Sequence, residues 1–254
     1  MIENQPMQID EIMEACLLAG KIMLQSGAET YRVEDTMMRM ALSFGIEETN
    51  SYVTPTGIIF SAVGNEQTVT RFIRILERST DLKKVTYVNS ISRKVSDGEI
   101  PPNEVLSRLK EIDSLNITFP LKLQVAAASV ASGCFLIMFN GAWNDFIPAM
   151  VSGGVGYFSF INVHRLVPIR FFSEFLASFI IGLLSLFFVK IGWGGELDKI
   201  IIGSLMTLVP GLLITNALRD LIAGHLVSGL SKGAEAFLTA FAIGTGIAVV
   251  LSFL

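Results

Sequence analysis

Beyond Pro120 the chain has the composition of a membrane domain. Its last 134 residues hold only 13 of the 42 charged side chains, whereas the first 120 hold 29, of which 17 are acidic and 12 basic. Between the sparse charges lie apolar stretches of about 20 residues, enough for a helix rising ~1.5 Å per residue to cross a hydrocarbon core about 30 Å thick. In lipid every backbone polar group must find its partner inside the protein, which leaves helices as the natural reading of such stretches. The mean hydropathy of +0.57 fits that reading. The expected fold is an α-helical membrane protein of about five transmembrane helices, preceded by a small α+β soluble domain. The expected boundary divides residues 1–118 from residues 119–254.

The spans are read at about 121–139, 146–163, 171–189, 199–218 and 234–254. The first is rich in alanine, serine and glycine, which let helices approach closely, so it is placed inside a bundle. Gly153, Gly154 and Gly156 suggest tight packing of the second. The third is bulky with phenylalanine and leucine and is the candidate lipid-facing helix. The fourth interrupts itself at Pro210–Gly211, because proline removes an amide donor and clashes with the preceding turn while glycine loosens the backbone. Broken membrane helices with polar neighbours tend to line a cavity or a solute path.

Loop charges set an orientation. Residues 140–145 carry no Lys or Arg, whereas Arg165 and Arg170 follow the second span, and Arg219 and Lys232 follow the fourth. The positive-inside tendency then places the N-terminus in the cytoplasm and the C-terminus outside, with Lys190 and Lys199 dissenting beside Glu196 and Asp198. Glu3, Asp10, Glu11 and Glu14 interrupt any secretory leader, which also favours a cytoplasmic N-terminus.

In the first half, apolar side chains recur at helical spacing over 9–25 and again over about 28–44, with Gly45 as a stop. Runs rich in β-branched and aromatic residues at 49–53, 57–63 and 68–75 predict strands, the first two joined by a turn over Thr54–Gly57. Residues 81–94 are ambiguous, and 102–115 look helical.

Candidate functional residues cluster after the helix break: Thr215, Asn216, Arg219 and Asp220, with Pro210 and Gly211 as the break itself. A guanidinium fork suits a solute carboxylate, and an intramembrane acid suits an amino group or a proton. The plainer alternative is an interfacial Arg–Asp pair at a helix end, in which each needs a separate partner because adjacent helical residues face apart. Pro210–Gly211 reads either as a hinge or as a packing kink. His225 is a possible proton relay beside Asp220, or an interfacial packing residue. Glu174 and Glu235 are read as snorkelling near cytoplasmic helix ends, and Asn144 and Asp145 as a solvated outer turn.

In the soluble half, Ser26, Gly27 and Glu29 stand where the second helix begins, an end whose free amides favour an anion, although Glu29 would compete for them. Glu29 and Arg32 are spaced to pair across one turn. Thr54, Thr56 and Arg71 would cluster only if strand register brings them together.

The net charge of −4 leaves no nucleic-acid footprint. There is no phosphate loop, nucleophile elbow or metal-spaced His/Cys cluster, so no metal, cofactor or ATP-driven step is expected. Cys16 and Cys134 fall on opposite sides of the boundary, so no disulfide is expected between them.

The run SGAETYRVEDTM, the TPTG turn with its apolar strand, the TRFIRI strand and LVPGLLITNALRDL together resemble the threonine/serine exporter family, in its short split-gene form. The resemblance covers nearly the whole chain. It implies proton-driven export of a small polar solute from the bacterial cytoplasm across the plasma membrane. Fused members export threonine and serine, and split members are linked to dicarboxylates such as succinate. It also implies a second small membrane subunit that supplies the remaining spans, hence an oligomeric assembly in the membrane. Two other readings stay open: a membrane-anchored enzyme, for which Ser26, Glu29 and Arg71 would have to converge without a histidine base, and a regulatory or scaffold subunit.

Overall fold

Apolar side chains at three- and four-residue intervals make one face of the first helix a core surface, and that face organises everything packed around it. The computed structural model describes residues 9–63, 68–115 and 118–253; Glu3 and Leu254, used above, lie outside them. The chain divides into two compact units, residues 1–118 with 213–233, and residues 119–212 with 234–254.

In the first unit α1 (Ile9–Gln25) and α2 (Thr30–Ser43) pack together over an antiparallel meander, β1 (Thr49–Thr54), β2 (Gly57–Val63) and β3 (Thr68–Arg74). Val53, Ile58, Phe60 and Ala62 point from the sheet into the core formed with Met13, Ile22, Met23, Met37 and Met40. The ambiguous stretch is helical: α3 (Leu82–Ser96) starts where Asp81 accepts the amides of Lys83 and Lys84, an N-cap whose signal competes with the β-branched residues after it. Helix α4 (Pro102–Ser114) completes the packing on α1. The same unit takes in residues 213–233, which charge density alone assigns to the membrane part.

The second unit contains α5 (Leu121–Met138), a short 3₁₀ turn (Trp143–Asp145), α6 (Phe146–Leu166), α7 (Arg170–Lys190), α8 (Leu197–Leu205) and most of α10 (Leu226–Leu251). Among the described residues four helices are long and apolar enough to cross a membrane: Leu121–Met138, Trp143–Leu166, Arg170–Lys190 and Leu226–Leu251. The fourth expected span is instead two pieces, α8 of nine residues and α9 (Gly211–Ile222) of twelve. At ~1.5 Å per residue these reach only about 14 and 18 Å. The last helix begins eight residues earlier than expected, because Lys232 is buried against a carboxylate and so does not end it.

One packing expectation is corrected. Helix α7 is not the lipid-facing helix: half of its most apolar window is buried, the largest share among the four. Ser173, Ala177, Ser178, Ile181, Gly182 and Ser185 form its packed face, while Phe172, Leu183 and Phe187 lie outside it. Helix α5 buries only Ala128, Ser132, Gly133 and Leu136 within this chain. Its close approach to α6 is real, since a side chain at Gly153 would strike Ser132 and one at Gly133 would strike Phe146 and Met150.

Candidate functional site: two helix corners sharing one buried carboxylate

Helix α1 ends in a left-handed glycine, Gly27 (φ +89°). The amide of Ala28 bonds back to the Met23 carbonyl and that of Gly27 to the Leu24 carbonyl, a Schellman closure that turns the chain into α2. Helix α9 ends the same way. Gly224 has φ +88°, His225 bonds to the Asp220 carbonyl and Gly224 to that of Leu221. Each corner therefore presents the start of a new helix, and side chains join the two.

The joint is Asp220, which is fully buried. Its Oδ1 accepts the backbone amide of Thr30 at 3.0 Å. Its Oδ2 accepts the Thr30 hydroxyl at 2.8 Å, the Ser228 hydroxyl at 3.1 Å and the Lys232 ammonium at 2.7 Å. Thr30 and Ser228 hydroxyls also lie 2.5 Å apart, and Lys232 reaches Thr30 at 3.2 Å. Lys232 is 4% exposed. Asp220 thus caps the N-terminus of α2, where free amides and the helix dipole favour a negative charge. The sequence points to that helix end as an anion site; the anion that fills it comes from 190 residues downstream.

Glu29 occupies the cap position of α2 but makes no side-chain cap. Its carboxylate turns outward to Arg219 (2.5 Å) and Arg32 (3.1 Å). Burial pushes the Glu29 carboxyl up, but its own backbone amide, Arg219 and Arg32 together outweigh burial and hold it below the usual carboxylate range. Asn216 donates to the Gly27 carbonyl at 2.9 Å. Glu34 accepts the Val53 amide at 3.0 Å, tying α2 to β1, and lies 3.8 Å from His225 Nδ1. Burial raises the Glu34 carboxyl above its ordinary value and the Asp220 charge adds to that, against the lowering effect of the Val53 amide and His225.

The structure therefore brings Gly27, Glu29, Arg32, Asn216, Arg219, Asp220 and His225 into one neighbourhood. Ser26 is buried at the same corner, and Thr215 is exposed on α9. Thr54, Thr56 and Arg71 do not join them or one another. Thr54 pairs with Gly57 at the turn, whereas Arg71 sits opposite Phe60, three rungs away, and bonds to Asp10. Thr56 stays in the turn, its carbonyl accepting the Ile75 amide. Arg71 and Glu29 have separate partners, so the convergence an enzyme reading requires is not there. Pro210 and Gly211 fall where α8 and α9 separate.

Sequence reasoning missed Thr30, Ser228 and Lys232. The last two stand four apart at the start of α10, on one helical face, and that spacing was the available signal. Two further expectations are corrected. Asp145 is no solvated turn: it is buried, accepting the amides of Gly195 and Glu196 at 2.6 and 3.0 Å. Glu174 does not snorkel, since it is 1% exposed.

The profile of the family described as "Putative threonine/serine exporter" matches residues 14–254. The chain belongs to this family. A "Probable succinate transporter subunit YjjP" of Klebsiella aerogenes is 24% identical over 246 residues, covering 95% of this chain and 93% of the relative. Its Escherichia coli counterpart is also 24% identical, over 95% and 94%. A "Probable threonine/serine exporter" of Mycobacterium tuberculosis is 21% identical over 95% of this chain but only 46% of its own length. No solved structure matches. Family and relatives are described as transporters, not enzymes, and with four apolar helices the chain is a multi-pass membrane protein.

Proposed function

We propose that the chain is one subunit of a two-component secondary exporter that moves a small carboxylate-bearing solute, a threonine- or serine-type amino acid or a dicarboxylate such as succinate, out of the bacterial cytoplasm. Together with the family relationship, one observation carries the reading: the apolar stretch 199–218 is broken at residues 206–210, and the helix that follows places Arg219 beside a carboxylate. About five membrane crossings, counting the broken one, and a cytoplasmic N-terminus in the plasma membrane complete it.

In this reading Glu29 occupies Arg219 as a solute carboxylate would, and the guanidinium side chain, 61% exposed, is the accessible member of the site. Thr215 and Asn216 contribute polar groups on the same helix, and Pro210–Gly211 is the hinge. Asp220 is held by four donors, which ties this helix to the start of α2 and α10. The word "subunit" in the names of two relatives supports a second membrane chain as partner.

The test is counterflow of labelled succinate and labelled threonine in liposomes holding this chain with its partner. Arg219→Ala, with assembly intact, should cut exchange of the transported solute at least tenfold. Undiminished exchange in that variant removes Arg219 from the site, and no exchange of either solute by the wild-type pair defeats the exporter reading.

A further inference from the structure

At the corner where α1 turns into α2, two local rules are broken within one turn of chain. Glu29 stands at the cap position of α2, where an acid ordinarily accepts a helix amide, yet it makes no cap and Asp220 takes that role. Arg32 stands in the first turn of the same helix, where the helix dipole disfavours a cation. The two side chains are nevertheless paired. Glu29 Oε2 accepts Arg32 Nη1 at 3.1 Å, while Glu29 Oε1 accepts Arg219 Nη1 at 2.5 Å. Residues that break local preference together mark functional positions more often than accidents of folding.

One carboxylate thus stands between two guanidiniums, and its carboxyl is held below its ordinary value of 4.5, so it is an anion at neutral pH. Two positive groups against one negative leave room for a second carboxylate. The neighbouring acids do not fill it. Asp220 is committed to Lys232, Thr30 and Ser228, Glu34 accepts the Val53 amide beside His225, and Asp35 pairs with Arg39. Exposure rises along the row: the Glu29 side chain is 8% exposed, Arg32 38% and Arg219 61%. A carboxylate arriving from solvent therefore meets Arg219 most readily.

Such a carboxylate displaces Glu29 Oε1. A nearly buried carboxylate left without a partner is costly, and that cost would keep the solute out. Arg32 removes most of it, because a guanidinium presents a fork of donors that takes both oxygens of one carboxylate. The three-residue spacing keeps Glu29 within reach of Arg32 throughout.

We propose that Glu29 is a built-in competitor for the solute: its carboxylate holds Arg219 until a solute carboxylate takes its place, and then passes wholly to Arg32. Glu29 and Arg32 together set the affinity of the site and restrict it to carboxylate-bearing solutes, since a neutral molecule cannot take Arg219 from an anion. This rests on the exporter reading, in which Arg219 receives the solute carboxylate.

The experiment measures counterflow of labelled succinate and labelled threonine as a function of concentration, in liposomes holding this chain with its partner. Glu29→Gln removes the competing charge, so the half-saturating concentration of the transported solute should fall about fivefold or more. Arg32→Gln leaves Glu29 only Arg219 to hold, so the same quantity should rise about fivefold or more. Adding Arg32→Gln to Glu29→Gln should change it by less than about twofold, because both act through one carboxylate. A purely structural corner gives the opposite sign for Glu29→Gln, a weaker exchange. An unchanged or raised half-saturating concentration in an assembled Glu29→Gln overturns the proposal. So does an Arg32→Gln effect that persists in full beside Glu29→Gln. If Glu29→Gln does not assemble, Glu29→Asp takes its place; its shorter reach should lower the half-saturating concentration, and no fall overturns the proposal equally. Undiminished exchange in Arg219→Ala removes the seat for which Glu29 competes and overturns the proposal with that assignment. A wild-type pair that exchanges neither solute defeats the exporter reading itself.

Discussion

Asp220 and Glu174 are both buried acids on helices of an apolar chain, yet the protein treats them oppositely. Asp220 sits at a helix N-terminus with an ammonium, two hydroxyls and an amide around it. Glu174 shares one guanidinium with a second acid and keeps an oxygen with no donor. The first arrangement satisfies both oxygens of the acid, and the second leaves one of them without a donor. Equal burial therefore does not mean equal compensation; the count of donors separates the two acids.

The sharpest way to break this comparison is to remove the charge at each acid. Asp220→Ala leaves the Lys232 ammonium buried without its partner and should cost about 3–5 kcal/mol, seen as a large drop in thermal unfolding temperature in detergent. Glu174→Gln should shift the same melt by less than about 1 kcal/mol, since it removes a charge that is incompletely compensated. Equal losses would mean the two sites are alike. Next in size, Thr30→Val takes one hydroxyl from the Asp220 network while keeping the backbone amide. A loss of about 1–3 kcal/mol is expected in the same melt.

The smallest effect is a pH dependence with opposite signs at the two glutamates beside the network. Glu29 has a folded value below its ordinary 4.5, so its contribution is present above pH 4.5 and is lost as pH falls through the lowered value. Glu34 has a folded value above 4.5, so its contribution is present below pH 4.5 and is lost as pH rises through the raised value. Melting temperature against pH should therefore lose its acid-side fall in Glu29→Gln and its acid-side gain in Glu34→Gln. Matching changes in the two variants would show that their carboxyls are not opposed.

Much of the fold was legible because its signals are local. Strand 57–63, the turn before it and the break at Pro210 follow from β-branched runs and backbone chemistry within a few residues. Helix α3 was not, because its N-cap at Asp81 works against the β-branched residues that follow. At the site, Arg219 and Asp220 were visible as charges in an apolar stretch, and Ser26–Glu29 as a helix start. Their joining was invisible, since Thr30 and Asp220 lie 190 positions apart.

The sequence by itself determined that this chain enters a membrane, that one apolar stretch is interrupted, and that a small α+β unit precedes it. Hydropathy and proline geometry act over one or two turns, so no long-range information is needed for those conclusions. The tertiary structure alone decided which acids are satisfied. Donors reach Asp220 from α2 and α10, and Glu174 must share Arg170 with Glu235. Compensation of a buried charge depends on which side chains three-dimensional packing brings within about 3 Å, and residue order does not encode that distance.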